Sequence, residues 1–240
     1  AFNATLIEVS RLHSQDQLTN VFQGHSSSDN PPDPLPDLGD LGDRLDAFGF
    51  VSSGFSWENV FASAKSVWHG HAGFNIDWGG GPFGMQDPPG HRNAIHGADS
   101  KEIGVGVVFG SRTDADRPAG VALGAASSFR SDVGPQIVTQ MFSVRNSTYI
   151  TGVAYLDIDG NAFYSLGEGL EGVTITVDGE DFYAETAASG GYAIPVSSGD
   201  GDYTLNISGP GITAFTETVT LSNDENVKWD YMPAFSLPTP

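Results

Sequence analysis

Cysteine is absent from all 240 residues. That excludes disulfide staples, thiol nucleophiles and thiolate-held zinc, and it leaves stability to a core large enough to manage without cross-links. Bases are scarce as well: ten Lys and Arg stand against thirty Asp and Glu, a formal charge of −20. Nucleic acid and anionic membrane are therefore not expected as partners, because binding phosphate needs clustered cations. Such acidity fits a protein facing salt, or one that binds hard cations. No apolar run approaches the roughly 18 residues that span a bilayer, so membrane insertion is not expected. No G-x-S-x-G occurs, and Ser26 beside His25 is adjacency in sequence, not geometry, so a serine triad is unsupported. The chain opens on Ala1 without Met or signal peptide, which reads as a processed or trimmed form.

What is present divides in two. Near the start, Leu6, Val9, Leu12, Leu18, Val21 and Phe22 recur at close to helical spacing and predict one helix over 2–23, ending near Gly24. Residues 26–43 carry Pro31, Pro32, Pro34 and Pro36 among Ser, Asp and Gly. They read as a long loop, mobile or tied down by an ion. A short helix or turn follows over 44–50. Val60, Phe61, Ala64 and Trp68 share one side of a predicted helix over 57–68, which puts Glu58 in a first turn, where the helix dipole favours a carboxylate. His69 and His71 are too close for the i, i+4 spacing of helical metal ligands and read as incidental or structural. Pro88-Pro89-Gly90 enters a turn that presents His91 beside Arg92. Residues 102–109 and 137–142 read as strands, with 111–130 a hairpin excursion between them. Helices first and antiparallel strands later indicate an α+β domain over 1–146.

From Tyr149 the texture changes. Short β runs over 152–156, 172–177, 182–186, 192–196, 203–207, 216–221 and 226–231 are punctuated by Gly, Asn and Asp. They predict a small all-β, seven-stranded sandwich over 149–240, with Asn146-Ser147-Thr148 as linker. Within it, Asp157 to Glu168 spans twelve residues. Oxygens fall at positions 1 (Asp157), 3 (Asp159), 5 (Asn161), 9 (Ser165) and 12 (Glu168), with the Phe163 carbonyl at 7. That is the ligand pattern of a calcium loop, on strand flanks instead of helices. The departure is Ala162 at position 6, where Gly normally makes the sharp turn.

Five short motifs stand in one order: Phe22/His25/Ser26, Arg44, Glu58-Asn59-Val60, Gly90-His91-Arg92-Asn93 with Ile95, and Glu102-Ile103-Gly104-Val105-Gly106. The series resembles the bacterial branch of the CAP superfamily (cysteine-rich secretory proteins, antigen 5 and pathogenesis-related proteins). The resemblance implies a three-layer α-β-α sandwich and a central cleft lined by His25, Glu58 and His91, with Asp77 as a second acid. Two imidazoles and a carboxylate so placed could bind zinc or a related ion, or act as acid and base around a bound water. Gly152 to Asn161 followed by Gly167 to Val173 resembles the prealbumin-like B-type repeats of bacterial surface adhesins.

The expectation is a secreted bacterial protein whose signal peptide and first helix are absent from this chain. Its cleft binds a metal, small extracellular ligand or peptide, and its sandwich, stabilised by Ca2+, contacts a cell surface or matrix. The enzymatic alternative is an extracellular hydrolase, peptidase-like, using His25, Glu58 and His91. The third reading is a fragment of a larger surface adhesin.

Overall fold

Asn3 starts the first helix. Its side chain accepts from the Leu6 amide at 3.1 Å and caps α1 (Ala4–Asn20), satisfying one of the amides a helix start leaves open. Val21, with φ 53, takes the left-handed conformation and stops the helix three residues earlier than its apolar spacing predicts. Phe22–Gly24 then forms β1. This computed structural model describes residues 1–145, 147–197 and 199–233, and the chain divides into two units, Phe2–Arg145 and Asn146–Pro240.

In the first unit α2 (Leu41–Ala47) is followed by β2 (Ser56–Ala64), α3 (Val67–Ile76), α4 (Gly90–His96) and β3 (Glu102–Phe109). Two short pairs come next: β4 (Arg112–Thr113) with β6 (Asp132–Val133), and β1 with β5 (Ser127–Phe129). The main sheet runs β2-β7-β3, with β7 (Gln136–Ser143) antiparallel to both neighbours. Alternation along β7 sends Ile137, Thr139 and Met141 toward α1 and Val138 toward α3, so helices cover both faces.

The helix predicted over 57–68 is wrong. Residues 56–64 are strand β2, pairing Trp57 with Phe142 and Val60 with Thr139. Val60, Phe61 and Ala64 imitate a helical face only because a bulge lies between Phe61 and Ala64. Glu58 therefore owes nothing to a helix dipole. Trp68 belongs to α3, capped by Ser66. The predicted turn at His91 is also a helix, α4.

Two glycines let α1 close on the sheet. A Cβ at Gly104 would stand 2.1 Å from the Leu6 carbonyl carbon, and one at Gly106 2.2 Å from the Arg11 amide nitrogen. Side chains with hydroxyls complete the contact: Ser10 Oγ donates to the Gly104 carbonyl at 3.3 Å and Ser14 Oγ to that of Gly106 at 3.1 Å. Protein groups hold the loop over 26–43. Asp16 accepts from the Ser28 amide and hydroxyl, and the Ser27 and Leu38 amides bond across the loop to Gly39 and Ser28.

The second unit is all β. One sheet runs β10-β9-β12-β13 (Tyr183–Glu185, Thr174–Val177, Gly201–Gly209, Ile212–Leu221). The other runs β11-β8-β14 (Gly191–Val196, Thr148–Val153, Val227–Lys228), its last pair parallel. Ile150, Ile175, Ile194, Leu205, Ile207 and Leu221 share one buried core between them. Thr148, expected in the linker, begins β8, and Asn146 lies outside the described residues.

Candidate functional site

Glu58 carries a buried carboxylate in the first unit. Its side chain is 2% exposed, so what exposure the residue has lies in its main chain. Arg44, fully buried on α2, donates from Nη2 to Glu58 Oε2 at 2.7 Å. Through Nη1 the same guanidinium holds the carbonyls of His25 (3.0 Å) and Gly39 (3.1 Å). His25 places Nδ1 3.0 Å from Glu58 Oε1, with 47% of its side chain exposed. A carboxylate only accepts, so His25 carries a proton on Nδ1, and in the neutral ring Nε2 keeps a lone pair.

Behind this cluster sits His13, which the sequence reading passed over. It is fully buried, and its Nε2 lies 2.9 Å from the Gly24 carbonyl and 3.9 Å from Glu58 Oε1. A carbonyl only accepts, so Nε2 bears the proton, and Nδ1 has no hydrogen-bond partner. Burial first, then the Arg44 charge, lowers the His13 pKa to about 4. Burial alone would raise Glu58, but Arg44, aided by the histidines, outweighs it and holds the carboxyl down to about 2.

His25 and Glu58 line a cavity of about 640 Å³ whose other walls include Leu41, Leu45, Phe50, Val51 and Phe55. That volume suits a small ligand. His91 is elsewhere: with Gln23, Phe74, Trp78 and Gln86 it lines a separate cavity of about 130 Å³. Glu58 and Asn59 are consecutive on β2 and point to opposite faces. Asn59 Nδ2 donates to the His91 carbonyl and to Gln140 Oε1, both at 3.2 Å.

Asp77 does pair with histidine, though not in the expected cleft. It is fully buried at the end of α3 with φ 66, and its Oδ1 stands 2.7 Å from His91 Nδ1 while Oδ2 accepts from the Arg92 amide. Asp77 thus orients His91 and ties down the start of α4. The zinc-type trio of His25, Glu58 and His91 is not assembled. Among the described residues, the one set of three His, Cys, Asp or Glu groups close enough to share an ion is in the second unit. Neither His25 nor His91 belongs to it.

That set is Asp157, Asp159 and Glu168, whose ligand oxygens lie within 4.8 Å of one another. Glu168 is buried and accepts from the amides of Ile158 (2.8 Å), Asp159 (3.2 Å) and Ser165 (2.7 Å). Asp157 accepts from the Asn161 and Ala162 amides, and Asp159 from Asn161 and the Ser165 hydroxyl. Phe163 is exposed. Ala162 adopts φ 60, so the sharp turn forms without its usual glycine. At 4.8 Å like charges repel by about 1 kcal/mol even in water-like surroundings. Among the described residues no ion pair involves these carboxylates, and their oxygens are close enough to hold a metal ion.

No family model and no curated protein matches the chain.

Two predictions follow from this geometry. Below pH 6.5 the unfolded chain takes up the His13 proton first, so stability falls as pH drops from 6.5 toward about 4. The Glu58 contribution is present above 4.5 and is lost as pH falls from there toward about 2. Each slope reaches about 1.4 kcal/mol per pH unit. Urea unfolding between pH 7 and 3 measures this, and His13→Gln should flatten the upper window; a wild-type profile level from 6.5 to 4.5 would contradict it. The loop gives the other. Calcium at a hundredfold excess over Kd should stabilise the second unit by about 2.7 kcal/mol, raising its melting temperature on the order of 10 °C. Calorimetry of the whole chain should show that shift abolished in Asp159→Asn/Glu168→Gln, whereas identical traces in calcium and chelator would exclude the site.

Proposed function

We propose that this chain is a secreted ligand-binding protein of CAP type that carries a calcium-stabilised β-sandwich of the B-type repeat kind. The observation that carries the reading is the cavity of about 640 Å³ with His25 and Glu58 in its wall and Arg44 behind them. Residues 25, 44 and 58 come from a loop, a helix and a strand, and a buried ion pair draws them together. The remaining motif positions are accounted for by contacts that such a domain needs. Asn59 ties α4 to the sheet, and Gly104 and Gly106 admit α1.

Binding is favoured over hydrolysis for a geometric reason. A peptidase using His25, Glu58 and His91 would need both imidazoles at one substrate, whereas His25 and His91 line different cavities. The sandwich, with calcium on Asp157, Asp159 and Glu168, serves in this reading as the spacer or surface-contact module. Its composition suits an exposed, cation-rich setting: from residue 147 on there are fourteen acids and a single base, Lys228.

A neutral fluorescent probe, N-phenyl-1-naphthylamine, tests the cavity. It should bind saturably, and Val51→Asp/Phe55→Asp should weaken it at least tenfold, since both side chains line the cavity and are more than 70% exposed. Phe83→Asp, a change at an exposed apolar residue outside that lining, should leave it unaffected. Equal affinity in wild type and the double variant would overturn the ligand-site reading.

A further inference from the structure

The side chains of the large cavity are rich in acceptors and poor in free donors, its open amides being those of Leu41 and Gly42 at the start of α2. Its ionisable lining is His25, Asp40, Asp46 and Glu58, and no Lys or Arg joins them. Arg44 reaches Glu58 from behind and spends its Nη groups on that carboxylate and on the carbonyls of His25 and Gly39. With Nδ1 turned to Glu58, the half-exposed His25 ring in its neutral form offers the Nε2 lone pair.

The hydroxyls are committed elsewhere. Ser52 Oγ lies 3.0 Å from the carbonyls of both Gly54 and Val144, which share its single proton, and Ser56 Oγ pairs with Ser143 Oγ at 3.1 Å. At the start of α2 the capping box occupies two more donors: Asp43 donates its amide to Asp40 Oδ1, and Asp40 donates its own to Asp43 Oδ2. That box adds two negative charges and no positive one. Asp46 has no side-chain hydrogen bond among the described residues and stands exposed at the cavity wall. The first unit as a whole carries sixteen acids against nine bases, so the surrounding field also favours cations.

A carboxylate or phosphate ligand would meet like charge here with no cation to receive it. A neutral apolar ligand can lie against the apolar wall but leaves these exposed acceptors to water. We infer that the cavity takes an amphipathic ligand whose polar end is a protonated amine. The ammonium donates to His25 Nε2 within the field of Asp40, Asp46 and Glu58, and the hydrocarbon part lies against Phe50, Val51 and Phe55. This inference rests on the cavity being a ligand site, as proposed above, and adds the sign and donor character of what enters it.

Displacement of N-phenyl-1-naphthylamine from the full chain by n-decylamine, n-decanol and n-decanoate at pH 7.5, each below its critical micelle concentration, tests it. Reading displacement from the cavity keeps general binding of amines to an acidic protein out of the measurement. Decylamine should displace the probe at least tenfold more tightly than decanol, and decanoate should be the weakest. Asp40→Asn/Asp46→Asn, which keeps a capping side chain on α2, should bring amine and alcohol within about threefold of each other while the probe itself still binds. Equal displacement by amine and alcohol in the wild type would overturn this inference and leave the ligand site standing. So would tighter displacement by decanoate, or an amine preference undiminished in the double variant. Failure of the probe to bind at all would remove both.

Discussion

One buried ion pair organises the first unit. Arg44 and Glu58 meet at 2.7 Å with both side chains essentially removed from water. Burying either charge alone would cost several kcal/mol, so each is tolerable only because the other is there. The guanidinium also carries carbonyls that have left water: those of His25 and Gly39, at the two ends of the Ser- and Pro-rich loop. The position of α2, the path of that loop and the orientation of His25 thus depend on a single side chain. A cavity wall made of a helix, a loop and a strand would not hold one shape without such a tie.

The rest of the unit makes that tie possible. Gly104 and Gly106 bring α1 close enough to the sheet for His13 to sit behind Glu58. His13 is kept neutral by burial and by Arg44, so it fills space beside the carboxylate without competing for it. On the far face of β2, Asn59 and Asp77 do for α4 what Arg44 does for α2. The second unit solves a different problem. Three carboxylates are drawn together by backbone amides of one loop, close enough that they could share a metal ion.

Much of this was legible in the residues. Continuous or alternating apolar runs gave away β3, β7 and the β character of the second unit, because strand burial leaves a local trace. The spacing of Asp157, Asp159 and Glu168 located the carboxylate cluster, and motif order located Arg44 and Glu58. What failed was non-local. Residues 57–64 look helical until β7 pairs with them and a bulge resets the alternation. Helix α3 was hidden because Gly70 and Gly73 weaken its local signal, and their smallness matters only where Val138 and Trp78 approach. His13 gave no sign, since a buried polar residue on a helix resembles an exposed one until its neighbours are known. His91 was wrongly joined to His25 and Glu58, because order along the chain does not say which face of a strand each residue serves.

The dependence of the cleft on the Arg44–Glu58 pair is tested most directly by a double-mutant cycle with Arg44→Met, Glu58→Gln and both together, read by urea unfolding at pH 7. Each single change should cost about 3–5 kcal/mol, because it strands a buried charged or polar partner. The double variant should recover about 2 kcal/mol or more of the summed loss. Strictly additive losses, or single changes costing less than 1 kcal/mol, would contradict the account.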